Sequence, residues 1–381
     1  MSFDCIVVGA GLAGLTAVRE LEKTGRSVLL LEATNTVGGR VKSDYIDGFI
    51  CDRGFQVINP KYPEVAKSGV LNSLDFKYIS GQIRLNDYQR KVGYSFATFS
   101  SEFGSVGEKF HLLNFVANPK VSNSKSFGDY IDSFPRVYER VLKPFLTGVF
   151  LCDPRIIAAD VAQEILRSFV KSLPGIPASG VGQFSQALAK SVVNLKLNEP
   201  VELITKGKVI TSNGQYNSKF IIVATDPTTA AQLVTGITLP KMFESTTAYF
   251  ATSDLPRDGK NLVISSNSKL VNSIVISQVS AKYAPADQHL ISATSLFPIT
   301  ESVFRKELAT IWRVNTQRWQ YVAKYEIKQS LPAHLPGQSK FKSSFVTDGI
   351  YVAGDHMSTP SQQGAMKSGY LAAQAINQLM Q

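Results

Sequence analysis

The first part of the chain alternates between short apolar runs and polar connections. Residues 3–8 form a mainly apolar run rich in β-branched side chains, which predicts a buried strand. Apolar positions at helical spacing predict a helix over residues 12–24, and Gly25 follows where helices commonly end in glycine. Residues 27–31 predict a second buried strand. This order indicates a βαβ unit with parallel strands.

Farther along the chain the hydrophobic pattern changes. Residues 61–180 read as mainly helical, with interruptions at Pro135 and Pro144. Residues 241–340 are richer in β-branched side chains and contain alternating runs such as NSIVISQV, which predict an antiparallel sheet. A buried-strand pattern returns at residues 220–224, and the final segment GIYVAGDHMSTPSQQGAMKSGYLAAQAI predicts a strand, a turn and a helix.

Three glycines lie in the turn between the first strand and the first helix. Gly9 permits the tight turn, Gly11 lets backbone amides approach a pyrophosphate, and Gly14 lets the helix pack closely on the strand. The amino-terminal end of that helix favours an anionic ligand. Glu32 ends the second strand 18 residues after Gly14, where an acidic side chain binds ribose hydroxyls and repels a 2′-phosphate. The turn therefore predicts a dinucleotide site for NAD or FAD, with NADP disfavoured.

The residues after Glu32 distinguish between these two dinucleotides. The triplet Gly38-Gly39-Arg40 supplies a second close backbone approach and a guanidinium suited to phosphate. A nicotinamide dehydrogenase has no regular need for this second element. Together the two motifs resemble those of the superfamily of flavin-containing amine oxidases, phytoene desaturases and protoporphyrinogen oxidases. The stretch CDRGFQVINPKYPE at residues 51–64 is similar to its segment beside the isoalloxazine, and the sequence most resembles desaturase-like members from bacteria and plants.

This resemblance implies a noncovalent FAD, because no cysteine stands at the family's covalent flavin position. The valine matching Val201 presents its backbone to the adenine, and the pair matching Gly354 and Asp355 contacts the ribityl and phosphate region. The last helix, which begins near Gly364, directs its positive end at the flavin. The implied cofactor contacts are Gly9, Ala10, Gly11, Leu12, Ala13, Gly14, Glu32, Ala33, Gly38, Gly39, Arg40, Gly54, Phe55, Gln56, Val57, Val201, Gly354, Asp355, Gly364, Ala365 and Met366.

The resemblance also implies how the chain divides into domains. Residues 1–60, 180–240 and 341–381 are expected to form one discontinuous FAD-binding domain of the Rossmann type, in its GR2-like variant. Residues 61–179 and 241–340 are expected to form a second, discontinuous α+β domain that binds the substrate. The predicted fold class is therefore α/β, with the substrate site between the domains and over the flavin.

The sequence offers no convincing acid–base pair, which agrees with flavin chemistry because the ring itself accepts the hydride. His356, the one histidine inside a cofactor segment, is a candidate catalytic residue, with a structural or phosphate-side role as the alternative. Lys324 is the other candidate, since many amine oxidases place a lysine near flavin N5; the alternative is a solvated strand lysine. The aromatic side chains of residues 312–325 are interpreted as core, with substrate contact as the alternative.

Three hypotheses of function follow from these features. The leading one is an FAD-dependent dehydrogenase, desaturase or oxidase that takes a hydride from a hydrophobic substrate, isoprenoid- or tetrapyrrole-like. The first alternative is a flavin-dependent amine oxidase. It is disfavoured because Ser361, three residues before Gly364, stands where many of those enzymes carry an aromatic wall of the amine cage. The second alternative is a noncatalytic lipid- or prenyl-binding carrier, which the intact phosphate contacts disfavour.

Charge and cysteine content limit the partners and the compartment. Lys and Arg number 40 against 30 acidic residues, a net charge of +10 that is interpreted as a solvated basic surface, with attraction to an anionic membrane as the alternative. Nucleic acid is not expected, because no concentrated basic run or nucleic-acid motif occurs. Three cysteines without metal-ligand spacing favour a reducing compartment and no metal site. A cytoplasmic protein is expected, with peripheral membrane contact, oligomeric state and electron acceptor left open.

Overall fold

The computed structural model describes residues 2–93 and 100–381, which form two large sheets and a layer of helices. The strands are β1 (Ser2–Val8), β2 (Val28–Leu31), β3 (Ser43–Ile46), β4 (Phe49–Asp52), β5 (Phe76–Tyr78), β6 (Gln82–Leu85), β7 (Arg90–Gly93), β8 (Gly175–Pro177), β9 (Leu195–Lys196), β10 (Val201–Thr205), β11 (Lys208–Thr211), β12 (Gly214–Val223), β13 (Met242–Thr252), β14 (Leu262–Ile264), β15 (Asn272–Val275), β16 (His289–Ser295), β17 (Gln320–Pro332), β18 (Phe345–Thr347) and β19 (Ile350–Val352). The α-helices are α1 (Leu12–Glu22), α2 (Pro63–Ser68), α3 (Val106–Ala117), α4 (Pro135–Val137), α5 (Lys143–Phe150), α6 (Ala159–Lys171), α7 (Gly182–Ala189), α8 (Pro227–Leu233), α9 (Glu301–Trp312) and α10 (Gln362–Leu379).

An eight-stranded sheet carries the glycine-rich turn. Strands β9, β2, β1, β12 and β19 run parallel to one another, whereas β10, β11 and β18 are antiparallel to the strands with which they pair. Along β1, Cys5 and Val7 pack on the face that α1 covers, whereas Ile6 and Val8 pack on the other face. All four side chains are buried, since a central parallel strand is covered on both sides.

The first and last helices of the chain lie side by side on this sheet. A Cβ on Gly369 of α10 would lie 2.0 Å from the backbone oxygen of Ala13, so only glycine permits the approach. Near the other end, the Thr24 hydroxyl bonds Oδ1 of Asn377 over 2.9 Å. The two helices therefore run in the same direction, and the amino terminus of α10 extends past the glycine-rich turn.

A seven-stranded sheet forms the second large element, in the order β17-β13-β16-β15-β14-β6-β7. Neighbouring strands are antiparallel except β14 and β6, which are parallel. Helix α9 covers one face, where Phe304 and Leu308 pack with Ala248 and Phe250. The sheet predicted from residues 241–340 is thus present, but it is mixed rather than purely antiparallel and has two additional strands.

Helices are the main regular structure of residues 61–180, as expected, but this region also contains short strands that the pattern did not predict. Ile83 of β6 pairs with Leu262 of β14, so a four-residue run within this region completes the second sheet. β5 and β8 add a further two-stranded pair. Strands this short contain too few residues for an alternating pattern to identify them.

Helices α3 to α6 form a layer with an aromatic core of its own. Its largest buried side chains are Phe115, Phe127, Phe134, Tyr138 and Phe150. The two prolines do not break helices here: Pro135 opens α4, and Pro144 lies in the first turn of α5 after a π-helical turn over Tyr138–Leu142. A Cβ on Gly148 of α5 would lie 3.5 Å from Nδ2 of Asn272, so the layer contacts the second sheet there.

The structure also bears on membrane spans and on the state of the cysteines. Within residues 2–93 and 100–381, no helix has the length and apolar character to cross a membrane. Cys5, Cys51 and Cys152 are all free and buried.

Candidate cofactor and substrate site

The glycine-rich turn joins β1 to α1 through close backbone contacts. Gly9 has a φ of +100°, and a Cβ there would lie 2.8 Å from the backbone oxygen of Ala224. A Cβ on Gly14 would lie 1.9 Å from the backbone oxygen of Gly9. Glycine is therefore required at both positions, at Gly9 by conformation and contact and at Gly14 by the packing of the helix over the turn.

The second glycine turn lies directly against the first. The N–H of Gly38 donates a 2.8 Å hydrogen bond to the Ala10 carbonyl, and a Cβ on Gly39 would lie 3.3 Å from Cα of Gly11. Two stretches of backbone without side chains thus face each other at the amino terminus of α1. Backbone amides in such a cradle can bind a pyrophosphate that any intervening side chain would hinder.

Glu32 is buried at the end of β2, with its carboxylate against the same turn. Oε2 accepts a 2.8 Å hydrogen bond from the N–H of Ala10, and Oε1 accepts bonds of 3.0 and 2.7 Å from the N–H and hydroxyl of Thr34. Lys42 supports Thr34 by donating from Nζ to its Oγ1 over 2.8 Å. A carboxylate offers about four acceptor positions, so Glu32 retains capacity for a ribose hydroxyl.

The backbone around Glu32 also positions the segment that contains Val201. The N–H of Glu199 donates to the Glu32 carbonyl over 2.9 Å, and β10 begins two residues later with the half-buried Val201. Ala33, the residue after Glu32, is exposed. The structure therefore brings Val201 close to the glycine-rich turn and to Glu32.

Arg40 connects three separate parts of the chain. Its Nη2 lies 2.6 Å from Oδ1 of the buried Asp355, and its Nη1 donates a 2.8 Å hydrogen bond to the Ser330 carbonyl in β17. Its own carbonyl accepts a 2.7 Å hydrogen bond from Nε2 of Gln56. The guanidinium thus lies where the glycine turns, the turn before α10 and the second sheet meet.

Buried polar atoms beside Asp355 lack protein partners. Both ring nitrogens of His356 and the hydroxyl of Ser358 are buried without a hydrogen-bond partner among the described residues. Burial lowers the pKa of His356 to about 4, so its imidazole is neutral near pH 7. Unpaired polar atoms of this kind are costly unless a bound group satisfies them. A polar cofactor therefore fits this position.

The amino terminus of α10 completes this part of the site. Ser361 caps the helix, and its Oγ accepts a 3.0 Å hydrogen bond from the N–H of Gly364. A Cβ on Gly364 would lie 1.8 Å from the backbone oxygen of Thr359, so the helix begins against the preceding turn. Met366 is buried and Ala365 partly buried in the adjoining core. Ser361 thus has a capping role at the amino terminus of α10.

The segment Gly54–Val57 passes between this site and the second sheet. Gly54 has a φ of +87°, and a Cβ there would lie 3.1 Å from Cδ1 of Ile327. The N–H of Phe55 donates a 3.4 Å hydrogen bond to Oγ1 of Thr247, which also bonds the hydroxyl of Thr294 over 2.9 Å. These contacts identify the face of the second sheet that is turned toward the cofactor site.

Register places a row of uncharged polar side chains across this face. Asn272, Thr294, Thr247 and Tyr325 are successive Cα partners on β15, β16, β13 and β17, so they point to one side of the sheet. We refer to these four residues as the polar row. Oδ1 of Asn272 is buried without a partner among the described residues, and the Tyr325 hydroxyl donates to Oδ2 of Asp44 over 2.9 Å. The row therefore begins beside the helical layer and ends near β3.

Lys324 lies on the opposite face of the same sheet. Its Cα partner is Ala248, which packs under α9. Its Nζ lies 2.6 Å from Oε1 of Glu326, and this carboxylate raises the pKa of Lys324 through a hydrogen bond. His356 therefore lies with the candidate cofactor contacts, next to Asp355. Lys324 lies apart from them, which agrees with the alternative of a solvated strand lysine.

The aromatic residues of the 312–325 stretch divide between the two faces. Trp312 and Trp319 are buried in the core under α9, and Tyr321 packs against Phe250 in the same core. Tyr325 alone belongs to the polar row. The core interpretation thus holds for three of the four side chains.

Sequence reasoning missed most of the residues of the polar row. Asn272, Thr294 and Thr247 read as ordinary polar positions of alternating strands, and only the pairing of β13, β15 and β16 aligns them. The one available signal was the run ESTTAYF, in which hydroxyl side chains occupy positions that turn out to be buried. A buried hydroxyl needs a hydrogen-bonding partner, so a run of buried hydroxyl side chains indicates a polar contact across the sheet face.

The fold and the site define an FAD-dependent oxidoreductase, with a dinucleotide cradle beside a second sheet that carries an uncharged face. Residues 12–377 match the sequence model of the family described as flavin containing amine oxidoreductase, so the chain belongs to this family and its cofactor is FAD.

Two characterised relatives and one solved structure illustrate the relationship. The chain is 28% identical over 290 residues to the L-amino acid dehydrogenase of Synechocystis sp., a match that covers 65% of this chain and 60% of that protein. It is 24% identical over 175 residues to chloroplastic protoporphyrinogen oxidase 1 of Arabidopsis thaliana, covering 42% of this chain and 32% of that protein. The matches thus span less than two thirds of either relative.

The structural comparison extends over the whole chain. An oxidoreductase from Methanosarcina mazei superposes with a TM-score of 0.78 at 14% identity, covering 99% of this chain and 100% of that one. At this identity the likeness establishes a shared fold.

Proposed function

We propose that this protein transfers a hydride from an uncharged, hydrophobic substrate, isoprenoid- or tetrapyrrole-like, to noncovalently bound FAD. The observation that carries the proposal is the chemistry of the sheet face turned toward the cofactor site. The polar row and the row beside it consist of described residues of β13, β15, β16 and β17. No side chain in these two rows is charged. The neighbouring row is Ile274, Ser292, Tyr249 and Ala323.

An uncharged face favours an uncharged substrate. Burying a carboxylate or an ammonium group without an opposite charge is strongly unfavourable, and side chains such as Asn and Thr do not compensate a full charge. Apolar side chains and hydroxyls can instead accommodate a hydrocarbon or ring system that carries a few polar groups. The position of Lys324 on the opposite face supports the same conclusion.

FAD, when bound, supplies a ring that accepts two electrons and a proton as a hydride. The residues of this chain would bind the cofactor and orient it. The glycine turns, Glu32 and Arg40 would hold the dinucleotide, and neutral His356 would donate or accept a hydrogen bond beside Asp355. Thr247 would fix Gly54–Val57 against the sheet, and Oδ1 of Asn272 would accept a hydrogen bond from a polar substrate group. The buried face would exclude water from the reacting carbon.

Oxidation of an amine or amino acid is the second candidate, because the chain matches an L-amino acid dehydrogenase over 290 residues. Two observations argue against it. Ser361 is not aromatic, and no side chain of the polar row or of the row beside it is charged. Family membership also disfavours a noncatalytic carrier.

The experiment is anaerobic reduction of the bound flavin with carotenoid precursors, porphyrinogens, amines and amino acids. We expect a yellow protein that releases intact FAD on denaturation and whose absorbance bleaches fastest with a hydrophobic substrate. Saturable bleaching that is fastest with an amine or an amino acid would reverse the ranking. A colourless protein that cannot be loaded with FAD would contradict the proposal altogether.

A further inference from the structure

The outer face of α3 exposes large apolar side chains to solvent. Val106, Phe110 and Leu113 are 85%, 67% and 66% exposed. Their spacing of four and three residues places them on one face of the helix. The opposite side of α3 packs into the helical layer through Phe115 and the partly buried Leu112. The helix is therefore apolar on both sides, and packing within the protein accounts only for the inner one.

Grouping distinguishes this face from the rest of the described surface. Other strongly exposed apolar side chains, such as Val193 and Leu379, do not repeat along one face of a helix. Single exposed apolar residues are normal, whereas a contiguous group marks an interaction site.

The charged residues of the segment that contains this face are mostly basic. Residues 105–125 contain three lysines, Lys109, Lys120 and Lys125, and one acidic residue, Glu108. Glu108 is buried, and its Oε2 lies 3.2 Å from Nε of the half-exposed Arg136. The only acidic charge of this segment is therefore paired. Lys120 and Lys125 are exposed, whereas Lys109 is half-buried and donates from Nζ to the Ser100 carbonyl over 2.8 Å, so the segment presents positive charge to an anionic partner.

The end of α6 lies against the end of α3. Arg167 donates hydrogen bonds from Nε to the Val116 carbonyl and from Nη2 to the Asn118 carbonyl, at 2.5 and 3.0 Å, which holds α6 against the end of α3. One turn farther along α6, Val170 is 69% exposed and Lys171 follows it. We call the set formed by Val106, Phe110, Leu113, Val170, Lys109, Lys120 and Lys171 the α3 surface.

We propose that the α3 surface docks on an anionic lipid membrane. Apolar side chains on one helical face enter the interfacial region, while lysine side chains extend to the anionic headgroups. A second copy of this chain fits less well, because two such surfaces would bring lysines against lysines. The net charge of +10 attracts the whole molecule to the same lipids.

The test is co-sedimentation of the full-length protein with vesicles of phosphatidylcholine, with or without phosphatidylglycerol. We expect binding to the anionic vesicles that weakens at high salt, because salt screens the lysines. The double variant Phe110→Gln/Leu113→Gln should bind anionic vesicles about 10-fold or more weakly, since two large apolar side chains no longer enter the interface. The triple variant Lys109→Gln/Lys120→Gln/Lys171→Gln should lose a similar factor on anionic vesicles alone.

The control is Val193→Gln/Leu379→Gln, which replaces apolar side chains that are 77% and 67% exposed elsewhere. It should bind as the wild type does. All three variants should stay folded with melting temperatures close to that of the wild type, because every substituted position except the half-buried Lys109 is exposed to solvent. Failure of the wild type to bind anionic vesicles, or an equal loss in the control, would overturn the proposal. Self-association without vesicles that Phe110→Gln/Leu113→Gln abolishes would assign the surface to a second copy instead.

Discussion

Nη2 of Arg40 lies 2.6 Å from Oδ1 of Asp355, although 315 positions of sequence separate the two residues. Asp355 is buried, and the second amino group of Arg40 bonds the Ser330 carbonyl in the other sheet. One guanidinium therefore holds the beginning of the chain, its end and the second sheet together at the candidate cofactor site. Its removal should affect both the fold and the cofactor.

The first prediction is that Arg40→Ala destabilises the protein and weakens FAD retention. Asp355 would keep a buried charge without this partner, which we expect to cost about 1–3 kcal/mol after discounting for the partial exposure of Arg40. Loss of a charged contact to phosphate should lower FAD affinity by about 10-fold or more. Urea unfolding and titration of the apoprotein with FAD measure the two effects.

The control for this variant is Arg155→Ala, which removes an exposed ion pair with Asp153. Exposed pairs contribute about 1 kcal/mol or less, so stability and FAD affinity should hardly change. Equal effects in the two variants would mean that Arg40 has no special position at the site.

The second prediction concerns Glu32, whose carboxylate we expect to accept hydrogen bonds from the adenosine ribose. Glu32→Ala should weaken FAD binding about 5- to 150-fold, the equivalent of about 1–3 kcal/mol. Because Oε2 also accepts from the N–H of Ala10, the alanine variant should lose stability in the apoprotein as well. Glu32→Gln keeps one carbonyl acceptor and should show smaller losses. FAD retention equal to that of the wild type in Glu32→Ala would rule out the ribose contact.

The βαβ unit and the cofactor segments were predictable because their signals are local. Gly9, Gly14 and Glu32 lie within one strand-turn-helix-strand unit, where spacing in sequence fixes spacing in the fold. The resemblance then added the distant Asp355, which the structure brings to Arg40.

The side chains of the polar row were not predictable, because strand register decides which residues share that face. β13 and β17 pair with irregularities between Phe243 and Ser245 and between Tyr249 and Phe250. A shift by one residue would exchange the two faces and bring Lys324 toward the cofactor. The run WQYVAKYEI contains no local pattern that predicts this register. The face on which Lys324 lies therefore follows only from the pairing of the strands.

The third prediction uses Asp52, a buried carboxylate between the two sheets. It accepts hydrogen bonds from the N–H of Val181 at 3.0 Å and from the hydroxyls of Ser43 and Tyr283 at 2.5 and 2.8 Å. Burial outweighs these bonds and raises the pKa of Asp52 to about 6, above the value of about 3.9 in an unfolded chain. The folded state therefore holds a proton between about pH 4 and 6 that the unfolded state releases.

The contribution of Asp52 to stability is thus greatest below about pH 4 and is lost as the pH rises through about 6, a change of about 3 kcal/mol. Asp52→Asn removes this titration. The free energy of unfolding of the variant, relative to the wild type, should therefore be higher at pH 7 than at pH 4 by up to about that amount. Urea unfolding of both proteins at the two pH values measures it. A constant difference between variant and wild type would show that Asp52 titrates normally.

The last prediction separates the two faces of the second sheet with two substitutions on neighbouring strands. Thr247 on β13 accepts a hydrogen bond from Phe55 and bonds Thr294, whereas Lys324 on β17 pairs with Glu326 on the α9 side. Thr247→Val should slow flavin reduction or raise the apparent KM about 5- to 10-fold, since a lost hydrogen bond at the site is worth about 1 kcal/mol. Lys324→Ala should leave both quantities unchanged and should alter stability by less than about 1 kcal/mol, because its ion pair is solvated. Stopped-flow reduction of FAD-loaded variants by the fastest substrate of the panel gives both parameters, and the flavin spectrum checks that loading is equal. If Lys324→Ala were the slower enzyme, the lysine would act on the flavin after all, and the amine oxidase alternative would regain its main support.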